Sequence, residues 1–250
     1  VHVATKVRLT EDNLSDIATS VRRSIEGSLQ RLRLDHVTLL QLHNSITANR
    51  GEEATSVTPR DVLEPGGVLA AFNELRQAGL VRFIGLTGIG QAESLRTVVD
   101  SGEFDAIHIP YNILNPSAGM AMPTSFIEVN YGNVIEACAR QDMGVFAIRV
   151  FAGGALLGNQ PSPHTLQTKF FPLDLYQRDC RAAERLGHLL PNGLSVKEAA
   201  VRFALSHSSV NSAIIGLSEP AHLDEAIRFL EAGPLPPETK AIIHNQLGRE

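Results

Sequence analysis

Short apolar runs alternate along this chain with longer stretches whose apolar positions recur at helical spacing. The runs cover 1–7, 36–43, 81–87, 104–112, 144–151 and 211–217, and each reads as a strand. VTLLQLHN (37–44) is the most informative of them. Its Val and Leu positions show little alternation, as in a strand covered on both faces, and it ends in a lone histidine, His43. Between the runs, helical spacing predicts helices over Glu11–Arg33, Gly67–Ala78, Gln91–Ser101, Ser125–Gln141, Leu173–Leu190, Ser195–Ser206, Glu219–Glu231 and 238–247. Thr10 is placed to cap the first helix, with Asn13 where a capping box wants Glu or Gln. Ser195 and Glu198 make the fuller box. Three polar loops, 44–66, 112–124 and 155–172, are long enough to face a substrate.

Strand and helix alternate without interruption in six units, which predicts an α/β fold with a parallel sheet and right-handed crossovers. Six units suit an open doubly wound sheet, and eight suit a closed barrel. No G-x-G-x-x-G follows the first strand, as a dinucleotide-binding open sheet would show. The chain also opens inside an apolar strand, Val-His-Val, so residues are expected to precede it. The expectation is a (β/α)8 TIM barrel, N-terminally truncated, forming a single domain over 1–250.

Composition trims the functional classes. A net charge of −5 argues against general nucleic-acid or anionic-membrane partners, and no apolar run reaches the ~20 residues of a membrane span. Cys138 and Cys180 lie in helical patterns without ligand spacing, pointing to a reduced, cytoplasmic protein. The remaining histidines (His2, His36, His164, His188, His207 and His244) form no ligand pattern, so no metal is expected.

Candidate chemistry sits where strands end. Lys6 closes the first strand and His43 the second, at the mouth where parallel sheets place their reactive groups. Neighbouring strands lie ~4.8 Å apart, so the two side chains can reach one point. Read alone, Lys6 is equally a solvated lysine at a strand end, and His43 a core histidine bonded to backbone.

The ordered series ATK, LLQLHN, GLVRFIGLT, FDAIHIPYN, GVFAIRVFAGGALLG and IIGLSEPAHLDEA resembles the aldo-keto reductases over essentially the whole chain. That resemblance implies a barrel binding NADP, with NAD as the alternative, and hydride transfer between an aldehyde or ketone and its alcohol. Lys6 and His43 match the family's catalytic Lys and His. Its Tyr general acid and its Asp belong to the region before Lys6. The resemblance further assigns the cofactor to Thr87, His108, Gly153, Gly154, Gly216, Ser218, His222 and Glu225. Ser218 would be the N-cap of a helix whose positive end faces phosphate.

This sequence departs from the family at several of these positions. Thr87 and Gly88 stand where Ser-Asn is usual, His108 where Gln is usual, and His222 where Arg is common. Phe151 is the available substitute for the stacking aromatic and is equally a core residue. The implied partner is a small carbonyl or alcohol, and the implied state a monomer or weak homo-oligomer. Two other readings compete: a truncated, non-catalytic cofactor-binding protein of the same fold, and a barrel lyase using Lys6 as a Schiff base.

Overall fold

The computed structural model describes residues 1–161, 163, 166 and 173–245. Strand β1 (Ala4–Val7) leads through a 3₁₀ turn (Glu11–Ser15) into helix α1 (Ile17–Leu32). The single helix expected over Glu11–Arg33 is thus broken at Asp16. Its backbone leaves the helical region (φ −148°, ψ 81°), and its carboxylate accepts the Thr19 N–H at 3.1 Å. Asn13 does serve Thr10, because its Oδ1 accepts the Thr10 N–H at 2.9 Å. α1 buries Val21, Ile25 and Leu29, one side of a helical repeat.

Strand β2 (Val37–Leu42) follows. Helix α2 (Pro59–Leu63), capped by Thr58 and Asp61, lies inside the stretch expected to be loop. Gly90 holds that loop close, since a Cβ at its φ of +116° would stand 2.1 Å from the Ile46 carbonyl oxygen. Then come helix α3 (Val68–Gln77), strand β3 (Val81–Thr87), helix α4 (Ala92–Val99) and strand β4 (Ala106–Pro110). Helix α5 is confined to Val134–Arg140, against the expected Ser125–Gln141. Gly132 and Asn133 adopt φ of 64° and 54°, which a right-handed helix cannot contain.

Strand β5 (Gly144–Ile148) runs into a 3₁₀ turn (Ala152–Leu157). Helix α6 (Leu173–Leu189) and helix α7 (Val196–Leu205) come next. Strand β6 is two residues, Ser212–Ala213, where 211–217 was expected. Among the described residues it pairs with β5 alone, so only one side supplies ladder bonds. Helices α8 (Pro220–Glu231) and α9 (Pro237–His244) close the described chain. His164, Pro172, most of the 155–172 loop and the final residues of the expected 238–247 helix lie outside the described residues.

The strands are parallel and follow chain order, β1-β2-β3-β4-β5-β6. The chain divides into two compact units. One comprises Val1–Ile109 with Tyr131–Val145, the other Pro110–Asn130 with Phe146–Glu250. In the first, α1 packs on α3 and α3 on β3, burying Leu40, Leu42, Phe72, Leu75, Ile84 and Leu86. In the second, α6 packs on the Ala152–Leu157 turn and α7 on α8, burying Tyr176, Leu186, Ala200 and Phe203.

Candidate active site

Register places the first unit's polar side chains. Lys6 stands opposite Gln41, Gln41 opposite Gly85, and Thr87 opposite His108. Side chains two apart along a strand share a face. Lys6, Gln41, His43, Thr87 and His108 therefore share one face of the sheet, while Val7, Leu40, Leu42 and Leu86 point to the buried other face. His43 donates its backbone N–H to Val7 O at 2.7 Å, which carries the pairing one step past β1 and sets Arg8 opposite His43. The last row of this face at the strand exits is Arg8, His43, Thr87 and His108, with Lys6 one row behind.

Asn44 fixes that row. Its Oδ1 accepts from Leu9 N–H at 2.9 Å, and its Nδ2 donates to Leu9 O at 2.8 Å and also to Thr55 O. Arg8 is thus clamped on one side by the Val7–His43 bond and on the other by Leu9–Asn44. Gln41 lies over Gly85, its Cγ 3.3 Å from where a Cβ would stand, and donates to Leu86 O at 3.2 Å.

The electrostatics are one-sided. Burial, then the Lys6 and Arg8 charges, lowers the His43 pKa to about 4. Burial, then Lys6 and His43, lowers His108 to about 4 as well. Both imidazoles are therefore neutral near pH 7, each with one N–H donor and one acceptor nitrogen. Lys6 is itself lowered, chiefly by burial and next by Arg8. Among the described residues, three buried side-chain oxygens near the exits of β2 and β3, Gln41 Oε1, Ser45 Oγ and Thr87 Oγ1, have no hydrogen-bond partner. Orphaned polar atoms of this kind are uncommon in folded proteins and suit a place where a polar ligand completes the bonding.

In the second unit a cavity of about 1400 Å³ is lined by Phe151, Cys180, Lys197, Gly216, Ser218 and His222, among others. That exceeds the ~300–1,000 Å³ of ordinary small-molecule sites. Of the residues assigned to the cofactor, Gly216, Ser218 and His222 meet here, whereas Gly153, Gly154 and Glu225 are not among the lining residues. Gly153 and Gly154 lie in the Ala152–Leu157 turn at φ of 70° and 106°. Glu225 instead forms an ion pair with Lys197, which lowers the Glu225 pKa.

Ser218 is not the helix cap. Glu219 takes that position with Pro220 as the first helical residue, and Ser218 Oγ lies 3.4 Å from His222 Nδ1. Pro at the first helical turn lacks only an N–H that would be unpaired anyway, so the cap shifts by one residue.

Two of the described tyrosines, Tyr111 and Tyr176, are weak candidates for an acid. Tyr111 is buried against Phe203 and pushed up to about 12, and Tyr176 donates to Asn159 O at 2.9 Å. No group of His, Cys, Asp or Glu among the described residues could hold a metal, and no described helix is long and apolar enough to cross a membrane. Arg8, Gln41, Asn44 and Lys197 went unrecognised in the sequence. Arg8 alone had a readable signal, being two residues beyond Lys6 on the same strand.

Comparison with known proteins bears on all of this. The profile of the aldo/keto reductase family matches residues 1–246. D-threo-aldose 1-dehydrogenase from a Pseudomonas species is 28% identical over 213 residues, 84% of this chain and 56% of that protein. L-galactose dehydrogenase from Arabidopsis thaliana is 24% identical over 245 residues, 95% of this chain and 67% of that protein. An aldo-keto reductase from Bacillus halodurans in its holo form shares the fold at a TM-score of 0.68 and 20% identity, covering 99% of this chain and 72% of its own. The glycerol dehydrogenase of Gluconobacter oxydans does so at 0.67 and 20%, covering 100% and 72%. The chain thus spans little more than half the length of the first of these relatives.

Proposed function

The chain belongs to the aldo/keto reductase family, and on that premise we propose that it is an NAD(P)H-dependent oxidoreductase interconverting a small aldehyde or ketone and its alcohol. The observation that supports this reading best is the row of basic and neutral donors at the strand exits, with Lys6 behind His43. A nicotinamide, when bound, supplies the hydride. As the carbonyl carbon accepts it, negative charge develops on the carbonyl oxygen, and stabilising that charge is the work left to the protein.

Neutral His43 donates its ring N–H to that oxygen and orients it. A protonated imidazole would be a stronger donor, but burial and the Lys6 charge keep it neutral. Lys6 stabilises the developing oxyanion as a nearby cation. The resemblance assigns the final proton to a Tyr that precedes Lys6. Thr87 Oγ1, buried and without a partner, fits a carboxamide that both donates and accepts, with His108 beside it. In the second unit, Gly216, Ser218 and His222 fit the phosphate-bearing end of the dinucleotide, and the open angles of Gly153 and Gly154 suit close approach of a pyrophosphate.

The test is titration of NADPH and NADH by the emission of the bound cofactor, followed by turnover with aromatic and aliphatic aldehydes. Binding of at least one cofactor is expected, together with loss of about 10²-fold or more in kcat/KM for His43→Ala and Lys6→Met. A folded chain that binds neither cofactor would sink the reading. Tight binding without turnover would favour the cofactor-binding protein lacking catalysis.

A further inference from the structure

We propose that Arg8 recognises an anionic substituent of the substrate, so that the carbonyl compound handled at this site carries a carboxylate. This rests on the reductase reading and narrows its substrate class. The placement comes from backbone bonds. Val7 O accepts the His43 N–H at 2.7 Å, Leu9 N–H and C=O are both bonded to Asn44, and Arg8 lies between these anchors. Its Cα therefore cannot drift from the end of β1, and its side chain points to the face that holds Lys6, His43, Thr87 and His108.

Arg8 also lacks an internal counterion. Among the described residues neither Arg8 nor Lys6 makes an ion pair or a side-chain hydrogen bond, whereas ten other pairs occupy arginines and lysines elsewhere. The two cations stand two residues apart with neutral imidazoles beside them, and no carboxylate belongs to this face between β1 and β4. In a chain whose net charge is −5, such a spot is a local reversal of sign. Exposed clusters of one sign raise the local concentration of opposite charge. A guanidinium offers a planar fork that accepts a carboxylate through two parallel bonds, which the point charge of a lysine does not. The division of labour follows: Lys6 and His43 act on the carbonyl oxygen, and Arg8, opposite His43 and one row beyond Lys6, holds the anion and sets its reach from the carbonyl.

The experiment compares 4-carboxybenzaldehyde and succinate semialdehyde, each with its methyl ester, using the full chain with its preferred cofactor. The expected result is a preference for the acids in kcat/KM of about tenfold to a hundredfold, the range for a hydrogen bond to a charged group. The acid-to-ester ratio is expected to collapse toward one in Arg8→Gln, to fall below one in Arg8→Glu, and to survive in part in Arg8→Lys. It should also shrink as salt rises, because the pair is solvent-accessible. Equal handling of acid and ester, with a ratio unmoved by these variants, overturns the assignment while leaving the reductase reading intact. If no aldehyde is turned over, that reading fails by itself. The anion assignment is then decided by calorimetric titration with benzoate: binding lost in Arg8→Gln sustains it, and no binding overturns it.

Discussion

His43 and His108 give the first unit a pH dependence that can be worked out from burial. Both pKa values in the folded chain are lowered to about 4, from an unfolded value of about 6.5. Between those values the unfolded chain binds more protons than the folded one, so stability falls as pH drops through that window and is undiminished above it. Each extra proton contributes a slope of at most about 1.4 kcal/mol per pH unit. Urea midpoints at pH 7.5, 6 and 5 should therefore decline, and the decline should flatten in His43→Gln with His108→Gln. An equally steep decline in the double variant would place the titrating groups elsewhere. Lys6 and His43 were legible in the sequence because each ends a strand, and order along the chain is enough to see that. Arg8, Gln41 and Asn44 were not, because their roles depend on which residue faces which across the sheet. That register follows from backbone bonds such as His43 to Val7, which no local pattern encodes.

At the level of elements, the inner strands kept their expected places, with β4 and β5 shortened at their ends, and elements shaped by backbone exceptions changed most. β2 and β3 follow the apolar runs that predict them, whereas α5 loses its first half to two left-handed residues and β6 shrinks at an edge. Ser195 accepts the Glu198 N–H at 3.1 Å as its sequence promised, yet the Glu198 side chain turns to Arg202 instead of closing the box. Helices α7 and α8 are joined through Lys197 and Glu225, and Lys197 also lines the second unit's cavity beside Arg181 and Glu184. The Lys197 charge at the cavity is matched by the Glu225 carboxylate. Glu225→Gln would free the Lys197 cation toward the cavity. We expect it to tighten NADPH relative to NADH by about tenfold, the effect of one charge-assisted contact of about 1.4 kcal/mol. Lys197→Met should move the ratio the other way. Titration of both cofactors against the three proteins measures it, and an unchanged ratio would mean that Lys197 does not face the phosphate by which NADPH differs from NADH.

For the molecule as a whole, the question is whether cofactor contacts reach both units or only the second. Thr87 and His108 belong to the first unit, while Gly216, Ser218 and His222 belong to the second. A ligand bound only to the folded state stabilises it by about 2.7 kcal/mol at a hundred times Kd. For a chain of 250 residues that corresponds to a rise in Tm of about 5–10 °C. The shift alone would not say where the contacts are, because stabilising either unit could produce it. Hydrogen exchange with and without saturating NADPH separates the cases. Under the reductase reading, amides at the exits of β2, β3 and β4, around 43–47, 87–90 and 108–109, should slow together with those of 151–158 and 215–226. Slowing confined to the second set would mean that the dinucleotide is held by its phosphate-bearing end without engaging Thr87 or His108. The orphaned Thr87 oxygen would then lack the carboxamide proposed for it, and the protein would be a cofactor binder in which Lys6 and His43 have no hydride to act beside.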